Sequence, residues 1–224
     1  MAVFAMSAVV ASAASAALPE YQICKEEAGG KGEWKTKGEC EKPGAVETSG
    51  KWKRFPATGV KFTSTGTVAK FKTAETEVEC KKSKGKEGEI TGSKTTGKLI
   101  ITFEECKENK HSIPCSNITT SKLKGELFYI NESKKEVGVT LTPEGTTQFA
   151  EFNCFFEKIK VFGCSAGSIT PSDSQVTEFA LKFEVTHPTG CAALEAEHGG
   201  KREAATETAE GKVINATAVE ILTS

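Results

Sequence analysis

The chain has 224 residues, with 29 basic and 30 acidic side chains and a formal net charge of −1. That balance excludes a dedicated nucleic-acid binder, which carries a clear basic excess. Asp173 is the only aspartate, and Arg54 and Arg202 the only arginines; calcium loops built on clustered aspartates and anion clamps built on arginine forks are thereby disfavoured, and no cofactor is implied.

Residues 1–16 are small and apolar and end in Ala14-Ser15-Ala16, the small-residue pattern that signal peptidase accepts. They read as a cleaved signal peptide, although no Lys or Arg precedes the apolar run. The segment is too short to span a bilayer, and no later apolar run approaches that length. Tyr21-Gln22-Ile23-Cys24 lacks the small residues expected before a lipidated cysteine. The expectation is a secreted, extracellular protein without a membrane span.

Residues 17–56 are rich in Gly, Lys and Glu and poor in apolar residues, so this segment buries little by itself. Cys24 and Cys40 enclose a short Gly-rich loop, and a bridge between them would lower unfolded-state entropy by about 3 kcal/mol. Both tryptophans, Trp34 and Trp52, fall in this stretch. Exposed on a rigid scaffold they would form a glycan-binding surface. The competing and favoured reading packs them as a small satellite core, since large aromatics anchor cores.

From residue 57 to 224 the pattern changes to short runs of period-two alternation, the signature of half-buried strands. The clearest is Phe179 to Val185, where Phe179, Leu181, Phe183 and Val185 point one way and Lys182 and Glu184 the other. Further strands are expected at Val60–Thr63, Thr67–Thr73, Glu77–Cys80, Lys98–Phe103, Gly125–Ile130, Glu136–Leu141, Gln148–Phe156, Lys158–Phe162 and Lys212–Ile221. Turn signals separate them at Ser64–Gly66, Lys84–Gly88, Asn131–Lys134, Pro143–Gly145 and Pro188–Gly190. The expected fold is all-β, an antiparallel β-sandwich or barrel with a small disulfide-stapled N-terminal segment; periodicity does not choose between the two.

The eight cysteines are even in number, and none precedes Cys24, as expected if all pair in an oxidising compartment. Beyond Cys24 and Cys40 six remain, and six allow fifteen pairings. Pairing in sequence order would join Cys80 to Cys106, Cys115 to Cys154 and Cys164 to Cys191.

Several blocks carry a resemblance. Cys24-Lys-Glu-Glu-Ala-Gly-Gly-Lys-Gly-Glu-Trp34 with Cys40, Gly88-Glu-Ile-Thr-Gly92, Leu99 to Cys106, Gly125 to Ile130, Val137 to Pro143, Phe149 to Cys154 and Gly167 to Pro171 follow one another in an order similar to that of a family of secreted, cysteine-containing β-rich proteins of soil actinobacteria. The resemblance covers most of the chain and implies secretion and a β-rich fold; no activity is established for the family, so it transfers no functional residue. Cys164 and Cys191 are additions to its usual pattern, which favours their pairing with each other.

Three constellations carry potential chemistry. Gly163-Cys-Ser-Ala-Gly167 matches the G-x-S-x-G elbow of serine hydrolases, with Asp173 and His187 following in triad order. The elbow requires a strand, a sharp turn and a helix, however, and Ser168 to Ser174 is turn-rich without helical periodicity, so a Ser165 hydrolase is a remote alternative. His111 and His187 each precede a cysteine, Cys115 and Cys191, by four residues, a spacing compatible with a zinc site; an oxidising compartment favours disulfides instead, and no metal is expected. Lys81 to Lys86 places four lysines at an expected hairpin tip, where a charge run is usually a solvated loop. Sequons at Asn117, Asn131 and Asn215 matter only in a glycosylating cell. The reading is a structural or binding protein of the extracellular space or cell envelope, not an enzyme, whose partner is a cell-surface polymer or protein.

Overall fold

A computed structural model of the chain describes residues 19–42, 49–184 and 188–223. The expected signal peptide and His187 lie outside the described residues. Among the described residues the structure is antiparallel β throughout, apart from one single-turn helix, α1 (Lys37–Cys40). No helix among them is long and apolar enough to cross a membrane.

In chain order, β1 (Glu20–Glu26) and β2 (Trp52–Pro56) flank α1. The long strands β3 (Lys61–Lys72), β4 (Glu77–Ile90) and β5 (Thr95–Glu108) follow, then the short β6 (Ile113–Pro114) and β7 (Ile118–Thr120). The middle of the chain forms β8 (Leu123–Asn131), β9 (Glu136–Pro143), β10 (Gln148–Cys154) and β11 (Glu157–Phe162). The rest comprises β12 (Ser165–Thr170), β13 (Val176–Phe183), β14 (Glu195–His198), β15 (Lys201–Ala204) and the long β16 (Thr206–Leu222).

Eight strands close a ring in the order β5, β4, β3, β16, β13, β12, β9, β8. The closing step returns β8 to β5 through Thr95↔Glu126, Thr96↔Gly125 and Leu99↔Leu123. The all-β expectation therefore resolves to a barrel, which removes edge strands around the ring. The sheet continues beyond the ring from β5 through β7, β10, β11, β14 and β15.

Alternation builds the inside. Phe179 and Phe183 on β13, Val137, Val139 and Leu141 on β9, and Leu123 and Leu127 on β8 are buried in one continuous core. The outer face is a lattice of lysine and glutamate pairs across neighbouring strands, including Lys70–Glu79, Lys82–Glu104 and Lys212–Glu178. Such exposed pairs contribute only about 0–1 kcal/mol each.

Two expected turns prove to be strand interior. Ser64–Gly66 lies within β3, and Lys84–Gly88 within β4. The cause is packing: a Cβ on Gly66 would collide with Ser83 Oγ, and one on Gly85 with Ser64 Oγ, so these residues are small because they face each other inside the barrel. The Lys81–Lys86 run accordingly lies along β4, where Lys81 and Lys82 pair with Glu105 and Lys84 with Glu104 on β5. It is not a hairpin tip. The stretch from Ser168, expected to be turn-rich, instead continues strand β12 to Thr170.

All eight cysteines are paired in sequence order: Cys24–Cys40, Cys80–Cys106, Cys115–Cys154 and Cys164–Cys191. Cys80 and Cys106 oppose each other directly across β4 and β5, and Cys115 and Cys154 form an isolated bridge pair. At the N-terminal end β1 joins the main sheet by pairing with β16, Tyr21 opposite Ile221, and carries β2 on its other side. A capping box between Thr36 and Glu39 starts α1, and Cys24, Trp34 and Cys40 form a separate small core against which Trp52 packs.

Candidate functional site

The two tryptophans sit together, as neighbours in an isolated bridge between Trp34 and Trp52. Trp34 is only 4 % exposed, and the Arg54 guanidinium lies 5.2 Å from its ring centroid. A stacking platform needs an open aromatic face, and Trp34 offers none in this packing; Trp52 is half-buried.

Ser165 is 2 % exposed and opens β12, opposite Leu141 of β9. The strand–turn–helix context of a nucleophile elbow is absent, since Gly163 to Gly167 runs directly into a strand. Asp173 is engaged elsewhere: its carboxylate accepts hydrogen bonds from the Thr223 backbone N–H and hydroxyl and faces Lys135. Cys115 and Cys191 are disulfide-bonded, and no group of three or more potential metal ligands occurs among the described residues. The side chain of His111 is mostly exposed and faces Glu108.

Ser165 nevertheless lies beside another buried polar group, the Glu207 carboxylate. Glu207 is the second residue of β16, opposite Phe71 of β3. Although the residue as a whole is half-buried, its Oε2 is shut off from solvent and has no hydrogen-bond partner. Burial pushes the carboxyl pKa up, with Ser165 pulling only partly against it. Removing an isolated carboxylate from water is so unfavourable that the group tends to neutralise.

Glu207 lines an apolar cavity of about 70 Å³ inside the barrel, together with Leu99, Val139, Ile169, Phe179 and Val213 among others. A second cavity of about 40 Å³ abuts it at Glu207, Phe103 and Phe149, under the sheet that extends beyond the ring. The inward residues Ser64, Ser83 and Gly211 on three adjacent strands leave the space that larger side chains would fill.

Asn215, 6 % exposed, also lines this cavity, and its Nδ2 is likewise buried without a partner. Eight residues of β16 separate it from Glu207, roughly 25 Å at a strand's usual rise per residue. Asn215 and Phe62 line both the lumen and an open vestibule of about 640 Å³. Lys61 and Lys98 line the vestibule, both holding Glu89 in ion pairs. The two lysines hold the Glu89 carboxyl down to about 2. Phe62, packed over Gly88, lines both spaces.

No family model, curated protein or solved structure matches this chain.

Sequence reasoning weighed Ser165 only as a remote hydrolase alternative, whose strand–turn–helix context the fold lacks, and passed over Glu207. The signal for Glu207 exists, since it is in phase with inward Ala209 and Val213 on the same strand. The expected strand began only at Lys212, so the charged in-phase residue lay outside it.

Proposed function

We propose that this protein is a secreted binding protein of the extracellular space or cell envelope, related to the soil actinobacterial family it resembles, and that its barrel lumen holds a small apolar ligand. The observation that carries this reading is the lumen itself, an apolar cavity lined in part by Glu207 and Asn215, each with a buried side-chain atom that has no hydrogen-bond partner. Most buried polar groups are hydrogen-bonded, and two of the ten buried side-chain atoms without a hydrogen-bond partner among the described residues belong to residues that line this cavity. An eight-stranded barrel is of the size that either fills with side chains or holds one small ligand. Four disulfides are compatible with an oxidising, extracellular setting.

The test is NMR of labelled protein titrated with xenon and with n-hexane. Chemical-shift changes at Leu99, Val139, Ile169 and Phe179 are expected. Changes confined to the outer surface, or none, would end the lumen reading.

Contact with the cell surface has its own supporting observation. Phe155 and Phe156 form the turn between β10 and β11, are 68 % and 87 % exposed, and pack against each other with ring centroids 4.0 Å apart and planes tilted by 59°. The adjacent Cys115–Cys154 bridge fixes the base of this turn. Rigid exposed aromatics are the usual anchors of protein interfaces. Replacing both with serine is expected to abolish retention on cell-envelope protein fractions while leaving hexane binding intact; unchanged retention would remove this contact from the proposal.

A further inference from the structure

We infer that the recess beside Phe155 and Phe156 takes a basic protein segment, one that presents an apolar side chain to the two rings and a lysine or arginine to Glu157. The inference rests on the reading of these phenylalanines as the cell-surface contact, and it names the chemistry of the partner.

Three stretches of chain line the recess, whose volume is about 510 Å³. Phe155, Phe156 and Glu157 come from the β10–β11 turn, Glu108, Lys110, His111 and Ile113 from the connection between β5 and β6, and Glu75 from the turn between β3 and β4. Much of this surface is fixed within the protein itself. The Cys115–Cys154 bridge and the hydrogen bond from the Asn153 N–H to Ser116 Oγ anchor the end of β10. On the facing connection both carboxylate oxygens of Glu108 accept backbone N–H groups, from Lys110 at 2.8 Å and from His111 at 2.7 Å. Asn109, between them, is tied to Glu77 through its backbone N–H and its side-chain amide. Groups ordered in advance lower the cost of docking a partner.

The rings decide between classes of partner. Their planes are tilted by 59°, so the pair offers no common flat face for a sugar ring to stack on. Exposed aromatics in that arrangement suit the packing of side chain against side chain at a protein interface. Charge narrows the choice further. Glu75, Glu108 and Glu157 line the recess against one lysine, Lys110, with His111 beside Glu108. Lys201 holds Glu75 at 3.2 Å; with it counted, glutamates still outnumber lysines three to two. Glu157 is exposed and has no ion-pair partner among the described residues, since Lys158, the next cation along β11, pairs with Glu151. An uncommitted carboxylate beside two exposed rings attracts a cationic side chain and repels anionic lipid headgroups.

The experiment titrates the labelled protein, at low salt, with two capped hexapeptides, Gly-Lys-Leu-Leu-Lys-Gly and Gly-Glu-Leu-Leu-Glu-Gly, and follows the NMR signals of Ile113, Phe155 and Phe156. The lysine peptide is expected to bind about two- to fivefold more tightly than the glutamate peptide, the scale of an exposed ion pair. Glu157→Lys, an exchange at an exposed position, is expected to cancel or reverse that order. Replacing both phenylalanines with serine is expected to abolish binding of either peptide, with folding of each variant checked by circular dichroism. Equal affinities in the wild type, or an order that Glu157→Lys leaves unchanged, would overturn the basic partner. The contact itself would still stand if retention on cell-envelope protein fractions depends on the two phenylalanines. Absence of shifts at Phe155 and Phe156 with both peptides would likewise overturn the inference. Partition onto phosphatidylglycerol vesicles that the serine variant loses would overturn it in favour of a membrane surface.

Discussion

Glu220 shows at the scale of one residue how the N-terminal segment is tied to the barrel. Its side chain on β16 is fully buried, and its nearest cation is Arg54 of β2, 3.1 Å away. Burial pushes the Glu220 carboxyl pKa up, Arg54 pulls it down, and Asp173 adds a smaller upward push. Arg54 in turn covers Trp34, so one guanidinium serves both the barrel carboxylate and the satellite core. A buried pair of this kind is weak evidence for stability, yet breaking it from one side strands a charge. Arg54→Met is therefore expected to destabilise the protein by about 3–5 kcal/mol in urea unfolding, and the double variant with Glu220→Leu to recover most of that loss. Recovery of less than half would mean that Arg54 acts mainly through Trp34.

At the scale of an element, the turn between β10 and β11 departs from local preference. Phe155 sits at φ 57°, a left-handed conformation that is an outlier for a bulky side chain and favours Gly or Asn. Phe155→Asn is expected to raise stability by up to about 1–2 kcal/mol, the penalty for a side chain in that region, with a higher urea midpoint as the readout. No change would show that the Phe155–Phe156 contact compensates fully. The sequence placed this strand's end one turn too late, because Phe155 and Phe156 continue the apolar content of Gln148–Cys154. Alternation made the β13 and β9 faces legible, since each carries bulky inward residues between charged outward ones. It failed where inward residues are small: Ser64 and Ser83 line the lumen, and Gly66 and Gly85, which pack against them, share their turn-like composition. The site was illegible for the same reason, because it is made of space between strands distant in sequence, and only its acid, Glu207, leaves a trace as a charge in an apolar phase.

For the whole molecule, the carboxylates divide into two populations that respond to pH in opposite directions. Glu89 is held down to about 2 by Lys61 and Lys98, and Glu105, Glu151 and Glu197 are lowered by Lys82, Lys158 and Arg202 respectively. A lowered folded-state pKa gives stability that is present above the ordinary carboxylate value of 4.5 and is lost as pH falls toward the folded value. Glu207 and Glu220 are raised by burial. Their native forms hold a proton more tightly than the unfolded chain does, so their contribution is complete below 4.5 and is lost as pH rises through their folded values. The first population lies on the solvated outer lattice, where salt screens it; the second lies in the interior, where salt screens it far less. Urea midpoints measured across pH should therefore decline on both sides of a maximum, and added salt should flatten the acid limb while leaving the opposite limb in place. Glu207→Gln with Glu220→Gln should flatten that opposite limb without altering the acid one. A limb at rising pH that survived both substitutions would place its origin outside the lumen and outside the Arg54 pair.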